Sequence, residues 1–249
     1  MAKSTRSQQI KGRKTREFSE RETRRNTKVV AKVFLDLAKQ FEQDNKQYFA
    51  AKNPFKILLG KFSRSMKKAL FQIYSTTAGN TGGFVNTLYG WKLADDTIKA
   101  ISSKVLQEYN SKYLAKRVKS ITNTTRNRIN NIVAKGQKEG LNNREIAKIL
   151  QKEIKGMSQG RARTIARTET FDSIQNTSNA TAQEAGIKNK TWLHTHGGKT
   201  VRDNHVAIDG VIKKMNQKFD LGNEMARYPH DPNLSAGNKI NCYCVAVYE

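Results

Sequence analysis

One absence constrains this chain more than any composition figure: after Pro54 the next proline is Pro229. Proline inside a helix removes a backbone hydrogen bond and clashes with the preceding turn. A long proline-free stretch with apolar residues at helical spacing is therefore free to run as one helix after another. Val30, Val33, Phe34, Leu37 and Phe41 recur in that way, with Lys32, Asp36, Lys39 and Gln40 between them. Phe62, Met66, Leu70, Ile73 and Tyr74 form a second set, which Ala78-Gly79-Asn80-Thr81-Gly82-Gly83 is expected to end. Three glycines so close favour a flexible connector, and the segment lacks the Lys-Ser/Thr ending of a phosphate-binding loop.

Near Asp95 a long helical region begins. Ile98, Ile101, Val105 and Tyr109 make one stripe, continued less regularly by Leu114, Val118, Ile121, Ile129, Ile132 and Val133, and ended by Gly136 and Gly140. Asn142 followed by Glu145 is a capping-box arrangement opening a helix buried through Ile146, Ile149, Leu150 and Ile154. Gly156 is expected to stop it, and Ser158 to cap the next. After Gly186 the texture changes: residues 191–195 read as a strand, 206–212 as a strand or turn-and-strand, and 242–248 as a closing strand, with loop-like sequence at 228–233. The fold class is α+β, with a mainly helical N-terminal two-thirds and a small loop-rich β unit at the C-terminus.

The chain has 46 Lys and Arg against 21 Asp and Glu, a formal net charge of +25. So large an excess attracts polyanions through counterion release, which favours nucleic acid or an acidic protein surface as partner. No apolar run approaches the roughly 20 residues that span a bilayer, and no apolar signal-peptide core follows Met1-Ala2-Lys3-Ser4. A protein made in a cytoplasm is expected. Residues 1–27 hold nine Lys or Arg and three Glu, with little apolar beyond Ile10 and Phe18. They read as a basic disordered arm, either touching DNA phosphates through Arg13, Lys14, Arg16, Arg21, Arg24 and Arg25 or merely solubilising the chain.

The two cysteines, Cys242 and Cys244, are badly spaced for a mutual disulfide and point to free thiols or metal ligands. On an extended segment both side chains fall on one face. With His205 they offer three ligands for a tetrahedral zinc, and His194, His196 or His230 could be the fourth. The alternative is two inert buried thiols beside a hydrogen-bonded histidine. Arg163, Arg167 and Glu169 lie on the helix opened by Arg161-Ala162-Arg163. Glu169 as a general base beside His205 would lack a second acid, a nucleophile and a phosphate loop. An internal arginine–carboxylate pair, with Asp172 or Asp209 as the acid, is the expected role, so no enzyme is expected.

The order of these pieces resembles the C-terminal domain of the phage Mu F-like minor head proteins, also called phage head morphogenesis proteins. The resemblance rests on Ile165-Ala166-Arg167-Thr168-Glu169, Asn176, Ala180, Gly186, Lys190, Trp192, Arg202, His205, Asp209, Gly210, Asn241, Cys242 and Cys244, with Tyr243 where an arginine is usual. It covers roughly residues 120–249, so that the Mu F-like domain (116–249) follows the arm (1–27) and a helical region (28–115) that carries no motif of the family. Some members carry two cysteines at the positions of Arg202 and His205, which implies a four-thiolate site in them. The resemblance implies a structural minor head protein of a tailed phage, in the virion head interior and assembled in the host cytoplasm. Its implied partners are the portal protein or the major capsid protein, with nonspecific contact to double-stranded DNA. A standalone DNA-binding or metal-dependent DNA-processing protein is the alternative.

Overall fold

The computed structural model describes residues 4–50, 55–194 and 201–249, without the side chains of 42–50. Thr195 and His196, and the first three residues of the arm, lie outside the described residues. The described elements are α1 (Arg6–Ala50), α2 (Lys56–Tyr89), α3 (Asp95–Glu108), a π-helical turn (Tyr109–Tyr113), α4 (Leu114–Lys138), α5 (Asn143–Met157) and α6 (Gly160–Glu184). The C-terminal part holds β1 (Asn189–Leu193), α7 (Asp203–Ala207), β2 (Ile212–Lys214), β3 (Phe219–Asp220), β4 (Met225–Ala226), α8 (Ala236–Lys239) and β5 (Val245–Tyr248). Both halves of the α+β expectation hold.

The apolar stripes read from sequence are the core. Val30, Phe34, Leu37 and Phe41 of α1 meet Phe62, Met66, Leu70 and Ile73 of α2, and the same cluster takes in Leu114 and Ile129 of α4, Leu150 and Ile154 of α5, and Ala162 and Ala166 of α6. This core runs through from residue 30 to residue 166, so residue 115 marks no break in packing. α6 is packed by α1, α2 and α3. The capping box at Asn142 forms as expected, the Asn side chain accepting from Glu145 N–H and the Glu side chain from Asn142 N–H.

Three local expectations are overturned. Residues 6–27 are no disordered arm but the first half of α1. Their buried stripe is made of small and polar residues: Gln8, Gly12, Thr15, Ser19, Thr23 and Asn26, spaced three and four apart. Small side chains let the helix come close. A Cβ on Gly12 would lie 2.6 Å from Leu193 Cδ1, so α1 rests directly on the sheet. Asn26 Nδ2 donates to Thr77 Oγ1 (3.0 Å) and to Thr170 Oγ1 (2.9 Å), and Phe18 stacks on Phe84 at 4.1 Å.

The glycine-rich 78–83 segment is not a connector either, because α2 runs straight through it. Gly82 is where α3 crosses: a Cβ there would sit 2.5 Å from Ile98 Cγ2. Helix propensity is only a weak prior, and here close packing overrides it. Finally, Ser158 does not cap α6. It closes α5, which passes Gly156 to end at Met157, and its hydroxyl donates to Lys155 O.

The β unit is a three-stranded antiparallel sheet in the order β2-β1-β5, plus the short β3–β4 pair. Trp192 pairs with Ala246 and Leu193 with Val245. The closing strand is shorter than expected: Cys242 to Cys244 precede it in irregular backbone. Of the stretch 206–212, read as a strand or turn-and-strand, residues 206 and 207 instead end the single turn of α7, and the Asp209–Gly210 turn follows.

Candidate metal centre and its carboxylate support

The first site lies where α7, the loop before β5 and the end of β1 converge. α7 carries His205, which is 1% exposed. Its Nδ1 lies 3.6 Å from Cys242 Sγ and 3.5 Å from Cys244 Sγ. All three ligand atoms lie within 4.8 Å of one another and are buried. A tetrahedron with metal–sulfur bonds near 2.3 Å and metal–nitrogen bonds near 2.0 Å has sulfur–nitrogen edges of about 3.5 Å. The two measured distances match that edge. Cys242 and Cys244 converge although their segment is not a strand. The Cys244 N–H donates to Cys242 Sγ at 3.4 Å, an arrangement that favours thiolate. The hydrogen bond with the Cys244 side chain holds the Cys242 thiol well below its usual value, against burial and with help from His230 and His205.

The motif residues build this pocket. Arg202 donates through Nε to Gly237 O and through Nη2 to Ile240 O, both at 2.6 Å, tying α7 to the stretch that leads into Cys242. Asn241 sits at φ 59°, a left-handed turn that asparagine tolerates, just before the first cysteine. Asp209 accepts from His194 N–H at 2.7 Å, and Gly210, at φ 76°, donates to Trp192 O at 2.8 Å. Trp192 is fully buried and meets His205 (5.2 Å) and Phe219 (5.4 Å) edge-on.

His230 is not the fourth ligand. Its Nδ1 is 3.3 Å from Asp172 Oδ1 and its Nε2 is 3.1 Å from Cys242 O. Both partners are pure acceptors, so both nitrogens carry protons and the ring is an imidazolium. Burial works against that charge, but Cys242 and Asp172 outweigh it and push His230 up to about 9. Among the described residues the cluster comprises three donors, and His194 is not one of them.

The imidazolium leads to the second arrangement. Asp172 of α6, 1% exposed, accepts from Arg117 Nη2 at 2.7 Å and from Lys239 Nζ at 3.0 Å as well as facing His230. Lys239, fully buried, also donates to Pro232 O at 3.2 Å. One carboxylate thus joins α4, α6, the 228–233 loop and α8. One turn away, Glu169 accepts from the Tyr109 hydroxyl at 2.7 Å and faces Arg117 Nε at 3.6 Å. Burial pushes Glu169 up to about 7, opposed by Arg117. The π-helical turn starts at Tyr109, whose ring also stacks on Tyr74 at 3.7 Å.

An arginine–carboxylate pair was expected from Arg163 or Arg167. The structure supplies it from Arg117 instead. Arg163 is exposed, while Arg167 lies over the Tyr243 ring at 4.6 Å. Tyr243 therefore gives Arg167 a π face where an arginine would oppose it charge to charge. Asp172, and not Asp209, is the acid. Lys239, Arg117 and Tyr109 carried no sequence signal for these roles. Each is one cation or hydroxyl in a helix, and its partner lies dozens of residues away.

Of the six cations assigned to the arm, Arg13, Lys14, Arg21, Arg24 and Arg25 are exposed on α1. Arg13 faces Glu17 at 3.8 Å, and Arg21 (3.9 Å) and Arg25 (3.1 Å) share Glu22. Arg16 is half-buried, and burial lowers its basicity.

Among the described residues no helix is long and apolar enough to cross a membrane. No solved structure matches the chain. A relative, the uncharacterized protein YqbB of Bacillus subtilis (strain 168), is 33% identical over 98 residues. That match covers 38% of this chain and 32% of YqbB, so the chain spans about a third of its relative's length. The family described as Phage Mu protein F like protein matches residues 127–247, from within α4 to within β5. This stretch contains both buried arrangements except Tyr109 and Arg117. Over residues 127–247, the C-terminal half, the chain is therefore similar to the Phage Mu protein F like family.

Proposed function

We propose that this protein is a structural minor head protein of a tailed phage. It acts in head assembly or DNA delivery beside the portal or major capsid protein, in contact with packaged double-stranded DNA inside the head. The observation that carries the reading is the family match over residues 127–247. The net charge of +25 supports the DNA contact, since a protein beside concentrated DNA gains from cationic surface. A non-enzymatic role is supported by what the acidic groups do. Glu169 is sealed by Tyr109 and Arg117, and Asp172 is taken up by three cations, which leaves neither for proton transfer to a substrate. Mass spectrometry of purified particles tests the proposal. Recovery of the chain at a fixed low ratio to major capsid protein is expected, and its absence from DNA-filled heads refutes the reading.

Within this role zinc is a folding element. His205 Nδ1, Cys242 Sγ and Cys244 Sγ are the proposed ligands, and a bound ion would neutralise the two thiolates. Protein purified without chelator or metal-affinity resin is expected to carry one equivalent of zinc. A content far below one, with Cys242→Ser as stable as wild type, rules this out.

A further inference from the structure

α2 and α4, which pack side by side, share a property that no other long helix here has: neither contains an aspartate or glutamate. Between them lies a groove of about 460 Å³ lined by Arg64 and Lys67 of α2 and by Lys119, Thr122, Asn123 and Arg126 of α4. The four cations are exposed, and no ion pair is formed by any of them among the described residues. Arg126 only donates to Asn123 Oδ1, at 3.2 Å.

The floor supplies a second, independent sign. Thr122 is 6% exposed, and its hydroxyl has no hydrogen-bond partner. Its neighbours differ: Thr124 donates to Ser120 O at 2.9 Å and Thr125 to Ile121 O at 2.8 Å, each tied to its own helix. A buried hydroxyl without a partner is costly unless a ligand completes it.

We propose that this groove seats the phosphodiester backbone of double-stranded DNA, with Arg64, Lys67, Lys119 and Arg126 contacting phosphates and Thr122 donating to one phosphate oxygen. The proposal rests on the DNA contact proposed above and gives it a place on the fold. Beside Ala115 and Val118, the groove is lined by cations and hydrogen-bonding groups and by no carboxylate, which suits a ligand rich in acceptors and lacking donors. Lys119 and Arg126 are seven residues apart on one helical face, about 10 Å, close enough to serve neighbouring phosphates of one strand. No aromatic residue lines the groove, so single-strand base stacking has no platform. The site is also distinct from the cations of the first turns of α1. Phe18 stacks on Phe84, which lies twenty residues along α2 from Arg64, about 30 Å away.

The test compares full-length variants for binding a random-sequence 30-base-pair duplex by fluorescence anisotropy across a salt series. The groove variant carries Arg64→Gln, Lys67→Gln, Lys119→Gln and Arg126→Gln. A first control removes Arg13, Lys14, Arg24 and Arg25 in the same way, and a second removes Arg144, Lys148, Lys152 and Lys155, which are exposed on α5. Each lost phosphate contact lowers the slope of log affinity against log salt by about 0.9. The groove variant is expected to lose about 3 to 4 from that slope and each control less than 1. Thr122→Val, which keeps the shape, should weaken binding several-fold at fixed salt with the slope unchanged. A groove variant with the wild-type slope overturns the proposal. If the α1 control flattens the slope instead, DNA binding survives and only its location is wrong. If wild type binds the duplex with no salt dependence, the DNA reading itself fails. A groove variant that keeps DNA binding but loses an acidic protein partner also overturns the proposal.

Discussion

Asp172→Asn is the most informative single substitution in this protein. The side chain keeps its shape but loses the charge that Arg117 Nη2 (2.7 Å), Lys239 Nζ (3.0 Å) and His230 Nδ1 (3.3 Å) share. At an effective dielectric of about 20, unit charges 3 Å apart attract by roughly 5 to 6 kcal/mol before desolvation is counted. Arg117 reaches solvent with about a fifth of its side chain, whereas Lys239 is fully buried and has only Pro232 O left. Removing one partner of a buried pair typically costs about 3–5 kcal/mol, because the remaining charge stays desolvated and unpaired. Urea unfolding at neutral pH, followed by circular dichroism, should show a loss of that size. Lys239→Met, similar in volume, removes the stranded charge. The Asp172→Asn, Lys239→Met double variant should therefore be more stable than Asp172→Asn alone. A single variant within about 1 kcal/mol of wild type, or two strictly additive losses, refutes the network.

Further predictions follow from the packing and the buried acids. Gly12→Val places a side chain where Leu193 already stands, and such overpacking should cost about 1–3 kcal/mol; an unchanged melting temperature would return residues 6–27 to a loosely attached arm. Glu169 has a folded pKa raised from 4.5 to about 7, so the stability linked to its protonation is fully present below about pH 4.5 and is lost as pH rises through 7. The stability difference between wild type and Glu169→Gln should therefore shift by about 3 kcal/mol between pH 4.5 and 8, in favour of the variant at high pH, and a flat difference would contradict it. Trp192→Ala removes a fully buried ring packed on His205 and Phe219 and should cost about 3–5 kcal/mol in urea titration; a loss under 1 kcal/mol would mean that the small core of the β unit does not depend on it.

The helical two-thirds were legible wherever burial is apolar. Val30 to Phe41, Phe62 to Tyr74, and Ile146, Leu150 and Ile154 became core, and the Asn142 cap formed, because periodicity and capping are local signals; Ile149, expected on the buried face of α5, is instead exposed. They were illegible wherever burial is polar. The Gln8-Gly12-Thr15-Ser19-Asn26 stripe has a helical period but no hydrophobicity, so the segment reads as solvated. α6 is the extreme case: Thr170, Ser173, Gln175, Thr177 and Thr181 are all wholly buried. Neighbours complete part of the hydrogen bonding of this polar helix, although Gln175 Nε2 and Thr177 Oγ1 are left without a partner. Ser173 donates to Tyr74 O, Gln175 Oε1 accepts from Ala246 N–H, and Asn176 bridges the Tyr74 and Tyr228 hydroxyls.

That dependence explains which part of the site could be read in advance. The cluster of His205, Cys242 and Cys244 was visible because few residue types bind metal and two of them stood one residue apart. The carboxylate support was not, because an aspartate on a helix looks the same whether it faces water or three cations. Yet the two are one mechanical unit. Asp172 holds His230, and His230 Nε2 holds the carbonyl of Cys242 itself. Arg117 lies on α4 before residue 127, where the family match begins, and completes the same carboxylate. The helices preceding the matched region therefore help set the geometry of its cysteines. A fragment beginning at residue 127 would keep every candidate ligand but lose Arg117 and Tyr109, and with them the groups that balance Asp172 and Glu169.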